Sequence, residues 1–222
     1  MDFSGPQPAD FDNIQSLNRA FLRHLRKASR GQRIRQAFVP AQRAPIKAMS
    51  DLQIERLSAT PFLLLSLRER DGDYWRVLTD DNAQDDLFPD SDTDDGSGQL
   101  TAAALAFMWQ LSRRSPYATR LVSGATLGWC EQIAECTLLR LLQQTSARND
   151  LLRPRLAEKQ EFWTKLLGPG LSARSDVRRA AQLTALQSIL TEDPARHYRP
   201  TRAAACHTLA PSLRLAAKRD GS

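Results

Sequence analysis

Carboxylates at alternating positions are the closest approach of this sequence to a metal site. Asp90, Asp92 and Asp94 follow the D-x-D-x-D spacing with which a calcium loop begins, and oxygen ligands at that spacing suit Ca²⁺. The glycine of such a loop comes one position late here, at Gly96, and Thr101 stands where the closing bidentate glutamate is required. The pattern therefore disfavours calcium binding and indicates an acidic segment that links two structured regions.

The cysteines and histidines are too scattered to predict a zinc site or a catalytic group. Cys130 and Cys136 are separated by a spacing that metal-binding pairs do not use, and Cys206 stands beside His207 near the end of the chain. The sequence contains no glycine-rich phosphate loop, no H-E-x-x-H motif and no nucleophile elbow. We therefore expect a non-enzymatic protein without catalytic residues, metal or cofactor. Three cysteines, an odd number, favour a reducing cytoplasm over a disulfide framework.

The strongest charge asymmetry is a basic run in the first quarter of the chain. No acidic residue occurs between Arg19 and Lys47, and the whole chain has a formal net charge of +6. Such a run can bind phosphates or an acidic partner, although a solvated helix face balanced by acids elsewhere would have the same pattern. The candidate residues for binding DNA or an acidic partner, in this run and in a second group, are Arg23, Arg26, Lys27, Arg30, Arg33, Arg35, Arg174, Arg178 and Arg179.

Apolar spacing predicts the helix that carries the first of these cations. Hydrophobic residues recur at helical intervals from Ile14 to Leu25, which predicts a helix that begins at Asn13. Residues 1–12, with one glycine and two prolines, are expected to form a flexible arm.

Two helix-start signals follow this basic run, at Ser50 and at Thr60. Ser50 and Gln53 form a capping-box pattern that predicts a helix over 51–58. Thr60 followed by Pro61 repeats a start signal and predicts a second helix directly afterwards. Because that helix would be apolar on nearly every side, it must be buried or paired with another chain. The candidate dimer or partner interface consists of Phe62, Leu63, Leu64, Leu65 and Leu67.

The remaining pattern predicts an all-α fold, with at most one short strand or hairpin near 73–78. We expect a helical domain over 13–78, an acidic linker over 79–99, a second helical domain over 100–192 and a flexible basic tail over 193–222. The second domain should contain one long helix from Leu127 to about Thr145, with carboxylates near its start that do not suit DNA reading. The pattern is compatible with two subdomains or with one unit.

Residues 13–70 contain Leu17-Asn18, Phe21-Leu22, Phe38 and a run of characteristic positions from Ala48 to Arg68. At these positions the segment resembles the FlhD family, the flagellar transcriptional activators of proteobacteria. The family cysteine near the end of this region is replaced by Leu65, so the intersubunit disulfide of the family is not expected. The resemblance implies a helical dimerisation domain and a zinc-bearing partner regulator, whose four zinc cysteines this chain lacks. The matching residues are Leu17, Asn18, Phe21, Leu22, Phe38, Ala48, Met49, Ser50, Gln53, Ile54, Leu57, Thr60, Leu63, Leu64 and Arg68.

These observations predict a cytoplasmic bacterial transcription regulator of the activator class. It would act as a homodimer and bind duplex DNA or a partner regulator. The alternative is a protein-binding adaptor or assembly factor that does not contact nucleic acid and docks its partner through the apolar helix and the C-terminal helices. No apolar run approaches the roughly 20 residues of a membrane span, so we expect no membrane contact.

Overall fold

A computed structural model describes residues 5–29, 32–80, 96–146 and 148–191, and these residues are mostly helical. The all-α prediction is therefore confirmed. The helices of the first half are α1 (Pro8–Lys27), α2 (Arg33–Gln36), α3 (Pro40–Lys47), α4 (Asp51–Ser58) and α5 (Gly72–Asp80). Those of the second half are α6 (Ser97–Arg114), α7 (Pro116–Ser123), α8 (Leu127–Glu135), α9 (Leu138–Ser146), α10 (Gln160–Leu167), a short 3-10 helix (Pro169–Leu171) and α11 (Ser175–Thr191). Strands β1 (Leu65–Ser66) and β2 (Arg153–Pro154) pair antiparallel.

Local capping explains where α1 and α4 begin. The backbone amide of Gln7 donates to the carboxylate of Asp10 at 2.6 Å, so α1 starts at Pro8 and part of the expected flexible arm is helical. The capping box before α4 is confirmed: the amide of Gln53 donates to Ser50 Oγ at 3.2 Å, and the amide of Ser50 donates to Gln53 Oε1 at 2.8 Å.

The prediction of a helix after Thr60 is wrong. This segment is not helical, and it passes through the centre of the fold. The buried side chain of Asn18 satisfies its backbone groups: Nδ2 donates to the carbonyl of Phe62 at 2.8 Å, and Oδ1 accepts from the amide of Leu64 at 2.8 Å. These bonds replace the partners that a helix would give the same groups.

Two further boundaries differ from the sequence prediction. The segment predicted as a strand near 73–78 lies in α5, whose first turn is capped by Asp71 through the amide of Tyr74 at 3.1 Å. The predicted long helix is interrupted after Glu135, and α9 restarts where the amide of Arg140 donates to Thr137 Oγ1 at 3.3 Å.

The two halves of the chain repeat one order of elements: a long helix, short helices, a capped helix, a strand and a helix with a buried tryptophan. In the first half this order runs from α1 through β1 to α5, and in the second from α6 through β2 to α10. Trp75 and Trp163 stand 88 residues apart (163 − 75). Trp75 Nε1 donates to the carbonyl of Leu67 at 3.0 Å, and Trp163 Nε1 donates to that of Arg155 at 2.7 Å, each eight residues back. The repeats thus share a hydrogen-bond pattern as well as an element order.

Backbone conformation and strand register support the same relation. Among the described residues other than glycine, Arg68 and Leu156 have positive φ angles, of 56° and 47°, and they too are 88 residues apart (156 − 68). Leu65 pairs with Pro154 while Ser66 pairs with Arg153, the reciprocal exchange that a two-fold axis between the strands produces. The chain therefore contains two repeats around an approximate two-fold axis.

The repeats interlock through aromatic side chains. Trp75 of the first repeat contacts Trp129 of the second edge-to-face, with ring centroids 5.2 Å apart. Trp163 of the second repeat contacts Phe38 of the first in the same way at 4.9 Å. Because each buried tryptophan packs on a ring from the other repeat, a single hydrophobic core runs through both.

A buried ion pair lies beside the paired strands. Arg155 Nη1 is 2.6 Å from Glu69 Oε1, and both side chains are almost completely buried. Arg155 also donates from Nε to the carbonyl of Leu63 at 2.6 Å, from Nη2 to that of Leu65 at 2.6 Å, and from Nη1 to that of Ser123. One guanidinium therefore satisfies backbone carbonyls from both repeats.

Helix α11 follows the repeats and packs against α10 and the 3-10 helix. Arg70 attaches its last turn to the α7–α8 junction, since Nε donates to the carbonyl of Gly124 at 2.8 Å and Nη2 to that of Ile189 at 2.6 Å. Gly124 has a φ of +66°, and a Cβ there would stand 2.4 Å from Ile189 Cγ2. Within the described residues, no helix combines the length and apolar character needed to cross a bilayer.

Candidate functional site

The five residues predicted as an interface lie inside the chain. Phe62, Leu63, Leu64, Leu65 and Leu67 each have 0% exposed surface. The second repeat packs directly on this segment: the amide of Leu63 donates to the carbonyl of Val122 at 2.9 Å, and the rings of Phe62 and Phe162 have centroids 6.2 Å apart. Of the two outcomes expected for this segment, burial or pairing with another chain, the structure shows burial, because the second repeat occupies the surface that a partner subunit would contact.

The predicted cations of α1 divide into exposed and paired residues. Arg23 and Lys27 are exposed one turn apart on α1. Arg26 instead forms an ion pair with Asp51 at 2.8 Å and donates to the carbonyl of Met49 at 3.2 Å. Arg30 lies outside the described residues. The first two are therefore available for binding, whereas Arg26 helps to hold α1 against the start of α4.

The two arginines of α2 also differ in how exposed they are. Arg33 is exposed, whereas Arg35 is only 5% exposed and therefore offers little surface for direct contact with a partner. Arg35 Nη1 donates to the carbonyl of Ala28 at 3.0 Å and Nη2 to that of Arg43 at 3.1 Å. These bonds join α2 to the end of α1 and to α3, where Lys47 is also exposed.

The second predicted group of cations lies at the start of α11. Arg174 forms an exposed ion pair with Asp176 at 2.6 Å, and its hydrogen bond holds the pKa of the aspartate below its ordinary value. Arg178 Nη1 donates to the carbonyls of Ser172 and Ala173, each at 2.9 Å. Arg179 is exposed. Of these three, Arg179 is the cation least engaged by local contacts.

A cavity of about 420 Å³ lies against α3. Sequence reasoning placed Arg43 and Lys47 in the basic run but did not identify them as site residues. Their four-residue spacing on one helix face was the available signal, together with alanines at the following positions. The cavity is lined by Arg35, Pro40, Arg43, Ala44, Lys47 and Ala48.

A larger cavity of about 760 Å³ lies between α10 and α11. Its lining mixes both signs of charge, with Lys159, Glu161 and Lys165, and also includes Phe162. This mixture defines no particular ligand chemistry.

A polar cluster at the start of α5 is structural. Arg68 bonds to Asp71 at 2.5 Å and to Asp150 at 2.6 Å, and its guanidinium lies 3.8 Å from the ring centroid of Tyr74. The Tyr74 hydroxyl donates to Asp150 at 3.0 Å. Burial, and then the hydrogen bond to Asp150, raises the pKa of Tyr74 to about 12. A phenol with that pKa and carboxylates held by arginine are poorly suited to acid–base catalysis at neutral pH.

The described cysteines are neutral thiols. Burial raises the pKa of Cys130 to about 12 and also raises that of Cys136. Neither therefore has the thiolate character of a reactive cysteine. In the part of the chain that the structure describes, no three His, Cys, Asp or Glu side chains are grouped as metal ligands. The D-x-D-x-D segment and Cys206 lie outside those residues.

Fold and site together define an all-α protein of two interlocked repeats, with exposed cations on three adjoining helices. Comparison with models of protein families, with characterised proteins and with solved structures gives no match to the chain.

Proposed function

We propose that this chain is a non-enzymatic transcription regulator that binds duplex DNA through a basic surface on α1, α2 and α3. The basic surface consists of Arg23, Lys27, Arg33 and Lys47. The observation that carries the proposal is that all four are exposed and that none forms an ion pair with a carboxylate among the described residues. Unneutralised cations on adjoining helices attract the phosphate backbone of DNA and release its counterions.

We propose that a relation to the FlhD family takes a modified form in this chain. The segment that resembles the family is covered by the second half of the same chain, for example where Leu63 bonds to Val122. In this proposal the second repeat takes the place of the second subunit, and the internal pair of repeats replaces the expected homodimer. A partner regulator would join this unit on DNA in the bacterial cytoplasm.

Salt-dependent DNA binding tests the proposal. We expect a fluorescent 30-base-pair duplex to bind the full chain at low salt and to lose affinity steeply as sodium chloride rises, because released counterions oppose binding. The double variant Arg23→Glu/Lys27→Glu should abolish binding. Arg153→Glu/Lys165→Glu, which changes the net charge by the same amount outside the basic surface, is the matched control and should leave it intact. Binding that is weak in the wild type, or unchanged in Arg23→Glu/Lys27→Glu, would reject the proposal.

The second candidate is a protein-binding adaptor, and one observation favours it. Leu183 is 56% exposed on α11, which packs on α10 beside the larger cavity. In an adaptor a partner would cover this leucine and remove its apolar surface from water. In an adaptor, Leu183→Glu should prevent capture of the partner, whereas reversing the charges of Arg23 and Lys27 should have no effect on it.

A further inference from the structure

We propose that the cavity against α3 binds a phosphate group. The cavity has a volume of about 420 Å³, which lies within the range of small-ligand sites. Three of its six lining residues are cations, Arg35, Arg43 and Lys47, and none is acidic. This composition selects an anion with several oxygen acceptors.

One face of α3 forms most of the lining. Arg43 and Lys47 are four residues apart, so their side chains lie one above the other on the helix. Ala44 and Ala48 are also four residues apart, and their short side chains leave space next to the two cations. The helix therefore provides both the positive charge and the room for a ligand.

Arg35 adds a buried cation from α2. Its two bonded nitrogens donate to the neutral carbonyls of Ala28 and Arg43, and its buried Nε has no hydrogen-bond acceptor among the described residues. Burying a guanidinium without an anion is unfavourable, and a buried donor without an acceptor adds to that loss. A phosphate in the cavity would provide the missing counter-charge, while Nε itself stays covered by protein atoms.

The other two cations are also available to an anion. Neither Arg43 nor Lys47 forms an ion pair in the described ranges. Arg43 uses Nε and Nη2 on the carbonyls of Phe38 and Gln36, which do not neutralise its charge. Three cations around one cavity more than offset the two negative charges of a phosphate monoester or of inorganic phosphate. Because Lys47 also belongs to the basic surface, the phosphate could belong to DNA or to a small molecule.

Inorganic phosphate is the probe that tests the site in the full chain. We expect calorimetry to detect phosphate binding to the wild type. Because phosphate also stabilises proteins by exclusion from their surface, the upward shift of thermal unfolding with phosphate should be larger in the wild type than in Lys47→Gln. Lys47→Gln should weaken the affinity about tenfold, since it removes one charge-assisted contact. The side chain of Lys47 is exposed and forms no hydrogen bond among the described residues, so this variant should fold normally. Lys165→Gln, a lysine outside both this cavity and the basic surface, should bind phosphate as the wild type does.

Arg35→Gln provides a second variant and should lose more affinity, provided that circular dichroism shows it folded. Absence of phosphate binding to the wild type, or equal affinity in the wild type and Lys47→Gln, would overturn the proposal.

Competition with duplex DNA distinguishes a phosphate of the DNA backbone from a phosphate of a small molecule. If phosphate competes with DNA and Lys47→Gln weakens both, the site binds a backbone phosphate. If phosphate binds while the chain fails to bind DNA, the site belongs to a small phosphorylated molecule. In that second outcome the cavity proposal stands and the DNA-binding proposal fails, so the two can be distinguished.

Discussion

Arg155 and Glu69 form an ion pair between the two repeats, with Nη1 2.6 Å from Oε1 and no more than 3% of either side chain exposed. Glu69 Oε2 also accepts from the amide of Leu67 at 2.8 Å and from Ser66 Oγ at 2.7 Å. Glu69 therefore contacts the segment around β1 through these two hydrogen bonds and the second repeat through its ion pair. A buried pair tolerates loss of one partner poorly, because the remaining charge is left without compensation.

Replacing Arg155 should strongly destabilise the protein. We expect Arg155→Met to lower the free energy of unfolding by about 3–5 kcal/mol, since it leaves Glu69 and several carbonyls unsatisfied. Urea denaturation followed by circular dichroism measures the change. Arg153→Met, an exposed arginine two residues earlier, is the matched control and should change stability by less than about 1 kcal/mol. Similar losses in both variants would contradict the central role of Arg155.

Glu69 should contribute to the acid sensitivity of the fold. Burial alone would raise its pKa, but the charge of Arg155 and several hydrogen bonds outweigh burial and hold it below the ordinary value of 4.5. Because the folded pKa is lowered, the ionised carboxylate stabilises the fold above the unfolded pKa, and this stability is lost as pH falls through the folded pKa. The stability difference between the wild type and Glu69→Gln should therefore shrink as pH falls below 4.5. Denaturation at stepped pH measures it, and a difference independent of pH would contradict the assignment.

The interlocked repeats predict that the two halves associate as separate chains. We expect residues 1–80 and 96–222, when co-expressed, to form a one-to-one complex, because each half buries apolar residues of the other. Size-exclusion chromatography with light scattering measures the stoichiometry. Leu63→Asp in the first fragment should prevent assembly, because it buries a charge at a fully covered position. A first half that folds alone as a monomer would refute the interlocked core.

Elements with a local signal could be predicted from the sequence. The capping box at Ser50 and Gln53 gave α4 correctly because both partners lie within one turn. The segment after Thr60 was not predictable in this way, because its backbone is satisfied by Asn18 and Arg155, about 40 and 90 residues away. Local propensity cannot detect partners at such distances.

The repeat did leave a signal in the sequence. Trp75 and Trp163 each follow an aromatic residue and each precede a leucine by three positions, so comparing the two segments would have revealed the 88-residue offset.

For the site, charge predicted the basic run but not which cations remain available. Arg26 and Arg35 are engaged by acceptors from neighbouring elements, and only the fold shows this.

Gly124 should not tolerate a side chain. We expect Gly124→Ala to lower the free energy of unfolding by at least about 1–3 kcal/mol, because its φ of +66° is unfavourable for alanine and a Cβ would collide with Ile189. Thermal or urea denaturation measures the loss. Gly128→Ala is the matched control: its Cβ would have no neighbour within 4 Å, and alanine in α8 should be neutral or slightly stabilising. Equal stability of the two variants would contradict the close approach of α11 to the α7–α8 junction.

Tyr74 should ionise at unusually high pH. Burial and the hydrogen bond to Asp150 raise its pKa from the ordinary 10.0 to about 12. Because the folded pKa is raised, the protonated phenol stabilises the fold below the unfolded pKa, and this stability is lost as pH rises through the folded value. Absorbance titration at 295 nm should show a phenol component near pH 12 that Tyr74→Phe removes and Tyr117→Phe retains, with circular dichroism confirming that the protein is still folded. Asp150→Asn should move the component to lower pH, since it removes the acceptor's negative charge. A wild type in which every tyrosine of the folded protein ionises near pH 10 would show that the cluster of Arg68, Tyr74 and Asp150 does not hold the phenol in solution.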